Sequence, residues 1–154
     1  MRLSFPGSFV TQERIMLKGV SKDFVNGSGL TIAQVRRDSM KKLYVCGSFR
    51  FTREMEGLER ELKEENIQFQ ISKKTDSRGI LGCLKKVDDV DVIYVVNPQG
   101  YIGKSVSVDI GYAYAKNKSI YVMHPVDDPP IMDLITGVMS PKALVDFLKE
   151  SFFK

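Results

Sequence analysis

The stretch "DVIYVVN" (91–97) is an unbroken apolar run closed by an acid on one side and an amide on the other. Such a run suits a strand covered on both faces, the setting of a central strand in a parallel sheet. Parallel strands need crossover connections, usually helices, so this run commits its neighbours to a β-α-β alternation. "KLYVCG" (42–47), "IQFQIS" (67–72) and "SIYVMH" (119–124) supply further strands. Between them, "TREMEGLERELKEEN" (52–66) carries Met55, Leu58 and Leu62 at helical spacing, with Glu59 and Lys63 paired on its charged face. "ILGCLKKVDDV" (80–90) sets Ile80, Cys83, Leu84 and Val87 on one side of a short helix, with "KKTDSRG" a polar loop before it. "KSVSVDIGYAYAKN" (104–117) reads as the next helix. "SPKALVDFLKESFF" (140–153) is the last, with Ser140 as N-cap and Pro141 at the first helical position. The order β-α-β-α-β-α-β-α predicts an α/β fold: a doubly wound parallel sheet in a flavodoxin-like or Rossmann-like three-layer sandwich.

Residues 40–154 hold this pattern, and residues 1–39 stand outside it as an N-terminal extension. "FVTQERIML" (9–17) suits a strand, "NGSG" (26–29) a turn and "LTIAQVRRDSM" (30–40) a helix, so a hairpin or arm is expected there. The formal net charge of +4 is concentrated in that part: residues 1–40 hold six basic and three acidic side chains, against 17 and 16 in residues 41–154. The α/β part therefore has no basic stripe, and a nucleic-acid polymer is not an expected partner. Neither is a membrane, because no apolar run approaches the roughly 18–20 residues a span requires. The beginning of the chain also lacks a secretory signal pattern. Cys46 and Cys83 have no CxxC spacing, and with one histidine in the chain neither a disulfide framework nor a zinc site is expected. These features point to a cytoplasmic protein that needs no metal or organic cofactor.

In such sheets, ligands bind beyond the carboxyl ends of the strands. "CGSFR" (46–50), "NPQGYIGKS" (97–105) and "HPVDD" (124–128) meet that rule. Gly47 and Ser48 form a strand-to-helix turn whose N–H groups suit an anion, with Arg50 and Arg53 able to add bidentate contacts. No Walker or GxGxxG motif is present. Asn97 closes the apolar strand, Gly100 and Gly103 let the next loop turn tightly, and Ser105 is placed to cap the helix. Ser105, Asp109 and Tyr112 share a helical face directed at the crevice. Asp109 has two readings: it complements the helix dipole, worth about 0.3–1 kcal/mol, or it is a working acid in an apolar helix. Tyr44 in the first strand and His124 at the end of the fourth are within reach of the pocket, and so is Tyr101, whose ring can stack on a base.

"LYVCGSFR", the helix after it, "VDVIYVVN" and "SVSVDIGYAYAKNKSIYV" resemble the nucleoside 2-deoxyribosyltransferase superfamily, which includes the 2'-deoxynucleoside 5'-phosphate N-hydrolases. The likeness covers about residues 40–125 and is strongest to a "GYIG"-loop branch. It implies a nucleoside or nucleotide N-glycosidic hydrolase or transferase, with Asp109 as carboxylate nucleophile and Tyr112 orienting it. A 5'-phosphate would sit near Gly47, Ser48, Arg50 and Ser105. The resemblance also implies a homodimer or higher homo-oligomer, with the helix around Tyr112 and Tyr114 as its face. The chain departs from the family in having Asp109 for Glu, shorter by one methylene or about 1.5 Å, and Cys83 for an Asp expected eight residues before Asp91. Those departures leave open a non-catalytic nucleotide-binding module on the same fold. A lysine-decarboxylase-like phosphoribohydrolase, whose glycine loop "GYIGKSVSVD" loosely echoes, is a further alternative.

Overall fold

The computed structural model describes residues 41–151. The hairpin or arm expected over 1–39 lies outside the described residues. Five strands, β1 (Leu43–Gly47), β2 (Phe69–Ile71), β3 (Val92–Val96), β4 (Ser119–Val122) and β5 (Gly137–Val138), form one sheet in the order β2-β1-β3-β4-β5. Every pairing is parallel. This is the flavodoxin-like strand order, in which the winding reverses between β1 and β3. The helices are α1 (Thr52–Glu64), α2 (Gly79–Asp88), α3 (Lys104–Ala115), the short α4 (Pro129–Met132) and α5 (Pro141–Glu150).

Alternation along the central strands sorts the core into two halves. Leu43, Val45, Val92, Tyr94 and Val96 face α1 and α5, meeting Met55, Leu58, Leu62, Leu144 and Leu148. Tyr44, Cys46, Ile93, Val95, Ile120 and Val122 face the other way, onto Val87 of α2 and Val106, Ile110 and Ala113 of α3. Residues of β1 and β3 are all buried, as the unbroken apolar runs require. Ser140 caps α5 as expected, its Oγ accepting from the Ala143 N–H at 3.2 Å, with Pro141 at the first turn. Glu59 and Lys63 form the expected pair at 2.8 Å.

Some local expectations change. The helices end earlier than their polar faces suggest, α1 at Glu64 and α3 at Ala115, because Asn66 and Asn117 take positive φ angles of 54° and 56° and turn the chain toward the next strand. The α3 cap is Gly103, with no side-chain hydrogen bond, rather than Ser105. Two elements escaped the hydrophobic pattern: α4 has one turn, and β5 has two residues held by pairing with Tyr121 and Val122.

Asn97 and Gly100 serve the fold. The buried Asn97 side chain donates from Nδ2 to the His124 carbonyl at 2.8 Å and accepts the His124 N–H at 3.0 Å, tying the exit of β3 to the exit of β4. Gly100 has φ +80°, and a Cβ there would meet the Pro125 carbonyl oxygen at 2.4 Å. Gly100→Ala should therefore cost about 2–4 kcal/mol, from left-handed backbone strain plus the collision. Urea unfolding should show a lower midpoint at unchanged slope.

Candidate active site

The reversal between β1 and β3 opens a cleft of about 430 Å³ at the carboxyl edge of the sheet. That is a size suited to a small ligand. One wall is the β1 exit turn, Gly47, Ser48 and Phe49. The second is the start of α3, with Gly103, Lys104, Ser105 and Val106. The third comes from the loop after β2 and the first half of α2, including Ser72, Lys73, Lys74, Asp76, Ile80 and Cys83. Tyr101 and Asp109 complete the lining.

Asp109 is 3% exposed and sits on the side of α3 that packs on the sheet. Its Oδ2 accepts from the Tyr44 hydroxyl at 3.5 Å, long for an O–H···O bond. Its Oδ1 is buried with no hydrogen-bond partner among the described residues. Burial pushes the carboxyl up to about 6, opposed by the Tyr44 hydrogen bond and by the positive charge of Lys86. Burial also raises the Tyr44 hydroxyl far above its ordinary value, so it stays protonated and donates to the ionised form of Asp109. The Cys46 thiol beneath is likewise held protonated by burial and by the nearby acid. Buried in apolar surroundings at the lining of the cleft, this carboxyl differs from one that complements a helix dipole in water.

The cleft gathers Gly47, Ser48, Tyr101, Gly103, Ser105 and Asp109 from the residues singled out in the sequence, and Tyr44 reaches it through Asp109. It does not gather the others. Tyr112 shares an angular sector with Asp109 but lies three residues further along a helix that runs away from the crevice, about 4.5 Å on. Its hydroxyl donates to Asp88, the last residue of α2, at 3.0 Å, and Lys116 covers its ring. Arg50 stacks its guanidinium on the Tyr101 ring at 4.5 Å, and Phe51 meets that ring edge-on. Arg50 thus braces the β1 turn against the glycine loop and does not line the cleft. Asn97, Gly100 and His124 also stand away from it, because the "HPVDD" segment is tied to the back of the β3 loop. Gly47 is required by packing, since a Cβ would meet the Val96 carbonyl at 2.7 Å. On the outer side of α3, Val108 and Tyr114 are exposed.

The third wall was missed as a site. "KKTD" follows a strand by the same rule as the other loops, but its lysines and acid read equally well as a solvated turn. In the fold, Lys86 holds Asp76 and the Ile71 carbonyl together, fixing this loop beside the cleft. Cys83 lines the same wall, with its Sγ 3.8 Å from Ser72 Oγ.

No family model matches the chain, and neither does any curated protein. Solved structures do. The chain is similar to a conserved protein from Enterococcus faecalis V583, with 18% identity and a TM-score of 0.53 over 72% of this chain and 98% of that one. It is similar to the sugar isomerase domain of an RpiR transcription factor from Sphaerobacter thermophilus, with 12% identity and a TM-score of 0.52 over 77% and 72% of the two chains. It is also similar to the Vibrio vulnificus NanR protein complexed with ManNAc-6P, with 14% identity and a TM-score of 0.55 over 77% of this chain; it spans about half, 51%, of that protein. A CMP N-glycosidase of Clostridium botulinum, BcmB, matches at 10% identity and a TM-score of 0.45, too distant to bear on chemistry. The first three likenesses agree with the α/β fold.

The raised Asp109 carboxyl carries a stability signature. Between about pH 4 and 6 the unfolded chain releases a proton that the native chain keeps, so native stability falls as pH rises through that window. The loss at neutral pH is on the order of 2–3 kcal/mol. Asp109→Asn should melt at a higher temperature than the parent at pH 7.5, with the gap closing toward pH 4.

Proposed function

We propose that the protein cleaves the N-glycosidic bond of a nucleoside or nucleotide, with Asp109 as nucleophile. The observation that carries this reading is the buried carboxylate whose Oδ1 has no partner among the described residues and which lines the cleft at the β1–β3 reversal. The motif resemblance around Asp109 supports it.

In this mechanism Tyr44 donates to Oδ2 of the ionised Asp109 and leaves Oδ1 to attack. Oδ1 bonds to the anomeric carbon as the bond to the base nitrogen breaks. The electron pair of that bond stays on the base, which takes up a proton from water. The developing positive charge on the sugar is stabilised by the carboxylate before the bond closes. Water then hydrolyses the sugar ester, releasing the sugar and restoring the acid. A 5'-phosphate fits against Ser48 and the start of α3, where the first-turn N–H groups, Ser105 and Lys104 converge.

Cys83 favours a second reading. It stands where the superfamily that the sequence resembles places an acid for the leaving base, and a thiol is a weak general acid. On this reading the cleft binds a nucleotide without turnover.

A panel of nucleosides and 5'-mononucleotides separates the two. Cleavage predicts free base by chromatography, kcat/KM rising with pH through about 6 as Asp109 ionises, and an Asp109→Ala rate lower by about a thousandfold or more. Thermal stabilisation by a nucleotide with no base released would favour the binding module. Base release by Asp109→Ala at the parent rate would remove Asp109 from the reaction.

A further inference from the structure

With phosphate against the β1 turn and the start of α3, and the sugar over Asp109, the remaining wall meets the base. That wall offers one ionised, oriented group. Asp76 Oδ2 accepts from the Lys86 ammonium and from the Lys73 backbone N–H at 3.1 Å. These two donors fix the plane of the carboxylate, and Oδ1 has no hydrogen bond among the described residues. Lys86 and the Lys73 N–H hold the Asp76 carboxyl below its ordinary range, so it stays ionised. An ionised carboxylate only accepts hydrogen bonds. It attracts an N–H donor and repels a carbonyl oxygen presented at the same place. The cationic groups nearby are otherwise engaged or loosely held: Lys73 turns its ammonium to Glu59 at 3.1 Å, and Lys74 is exposed on a long stem.

We propose that Asp76 reads the leaving base by accepting a hydrogen bond from an exocyclic amino group, which makes amino-bearing bases of the cytosine and adenine type the preferred substrates over their carbonyl counterparts. This rests on the nucleotide-cleaving reading above and names the substrate class of that site. The wall is open at its rim, so the discrimination is that of a partly hydrated contact, on the order of tenfold. A site built around a hydrogen bond rejects analogues lacking the donor, because its own polar group is then left unmatched.

The test compares two pairs differing only by amine against carbonyl: cytidine with uridine 5'-monophosphate, and adenosine with inosine 5'-monophosphate, each with ribose and deoxyribose. Base release is measured on the parent protein and dissociation constants on Asp109→Ala, which keeps the ligand intact. The amino-bearing member of each pair should be favoured about tenfold in both readouts. Asp76→Asn, which can donate as well as accept, should bring the ratio near one while leaving the phosphate contribution unchanged. The parent ratio alone decides the matter if that variant does not fold. Equal handling of the pairs, or a lead for the carbonyl members through Lys74, overturns the role of Asp76 and leaves nucleotide cleavage standing. Failure of all eight ligands to bind or react overturns both.

Discussion

The pairing of β1 with β3 is the contact on which the rest of the molecule depends. It runs the full length of both strands, from Leu43 against Val92 to Gly47 against Val96. All ten residues are buried, so neither strand can shift register without exposing apolar side chains or turning them to the wrong layer. The two strands send their connections to opposite faces of the sheet, α1 to one and α3 to the other. Their exits therefore diverge and leave a crevice that no side chain of the core fills. Gly47 allows the close approach at that edge, where a Cβ would meet the Val96 carbonyl oxygen at 2.7 Å.

Into this crevice the fold sets a charge it pays for. Asp109 occupies a position in α3 between Val106, Ile110 and Ala113, where an apolar side chain would pack without penalty. Tyr44 offers one long hydrogen bond and Lys86 a distant charge, and neither restores what burial removes. Perturbed carboxyl groups cluster at functional sites, and that is the ground on which Asp109 is proposed as the working acid. The surrounding braces fit that reading. The Arg50–Tyr101–Phe51 stack and the Lys86–Asp76 clamp each fix a loop of the cleft from behind.

The reading of Asp109 and the misplacement of Tyr112 share one origin. Helical spacing reports angle well, and it put Ser105, Asp109 and Tyr112 in one sector. It ignores rise along the axis and the direction in which the helix runs. Tyr112 is carried toward the far end of α2 and is taken by Asp88. Asn97 and His124 differ: both follow strands at the ligand edge, but the Asn97 side chain is taken up by the His124 backbone across the β3 and β4 exits, and neither residue lines the cleft. Lys73, Lys74 and Asp76 went unnoticed because a charged turn has the same composition whether it faces solvent or a cleft.

The amino-acid sequence by itself determined the class of fold, the extent of the core strands and the oddity of Asp109. Unbroken apolar runs, helical spacing and one buried-looking acid are local patterns that only one kind of sheet accommodates. Tertiary structure alone decided which polar residues meet. The strand order sets which loops share an edge, and packing sets which side chains have spent their hydrogen bonds on the fold. Those outcomes depend on contacts between residues far apart in the chain, such as Tyr44 with Asp109 and Asn97 with His124, which no spacing along the sequence encodes.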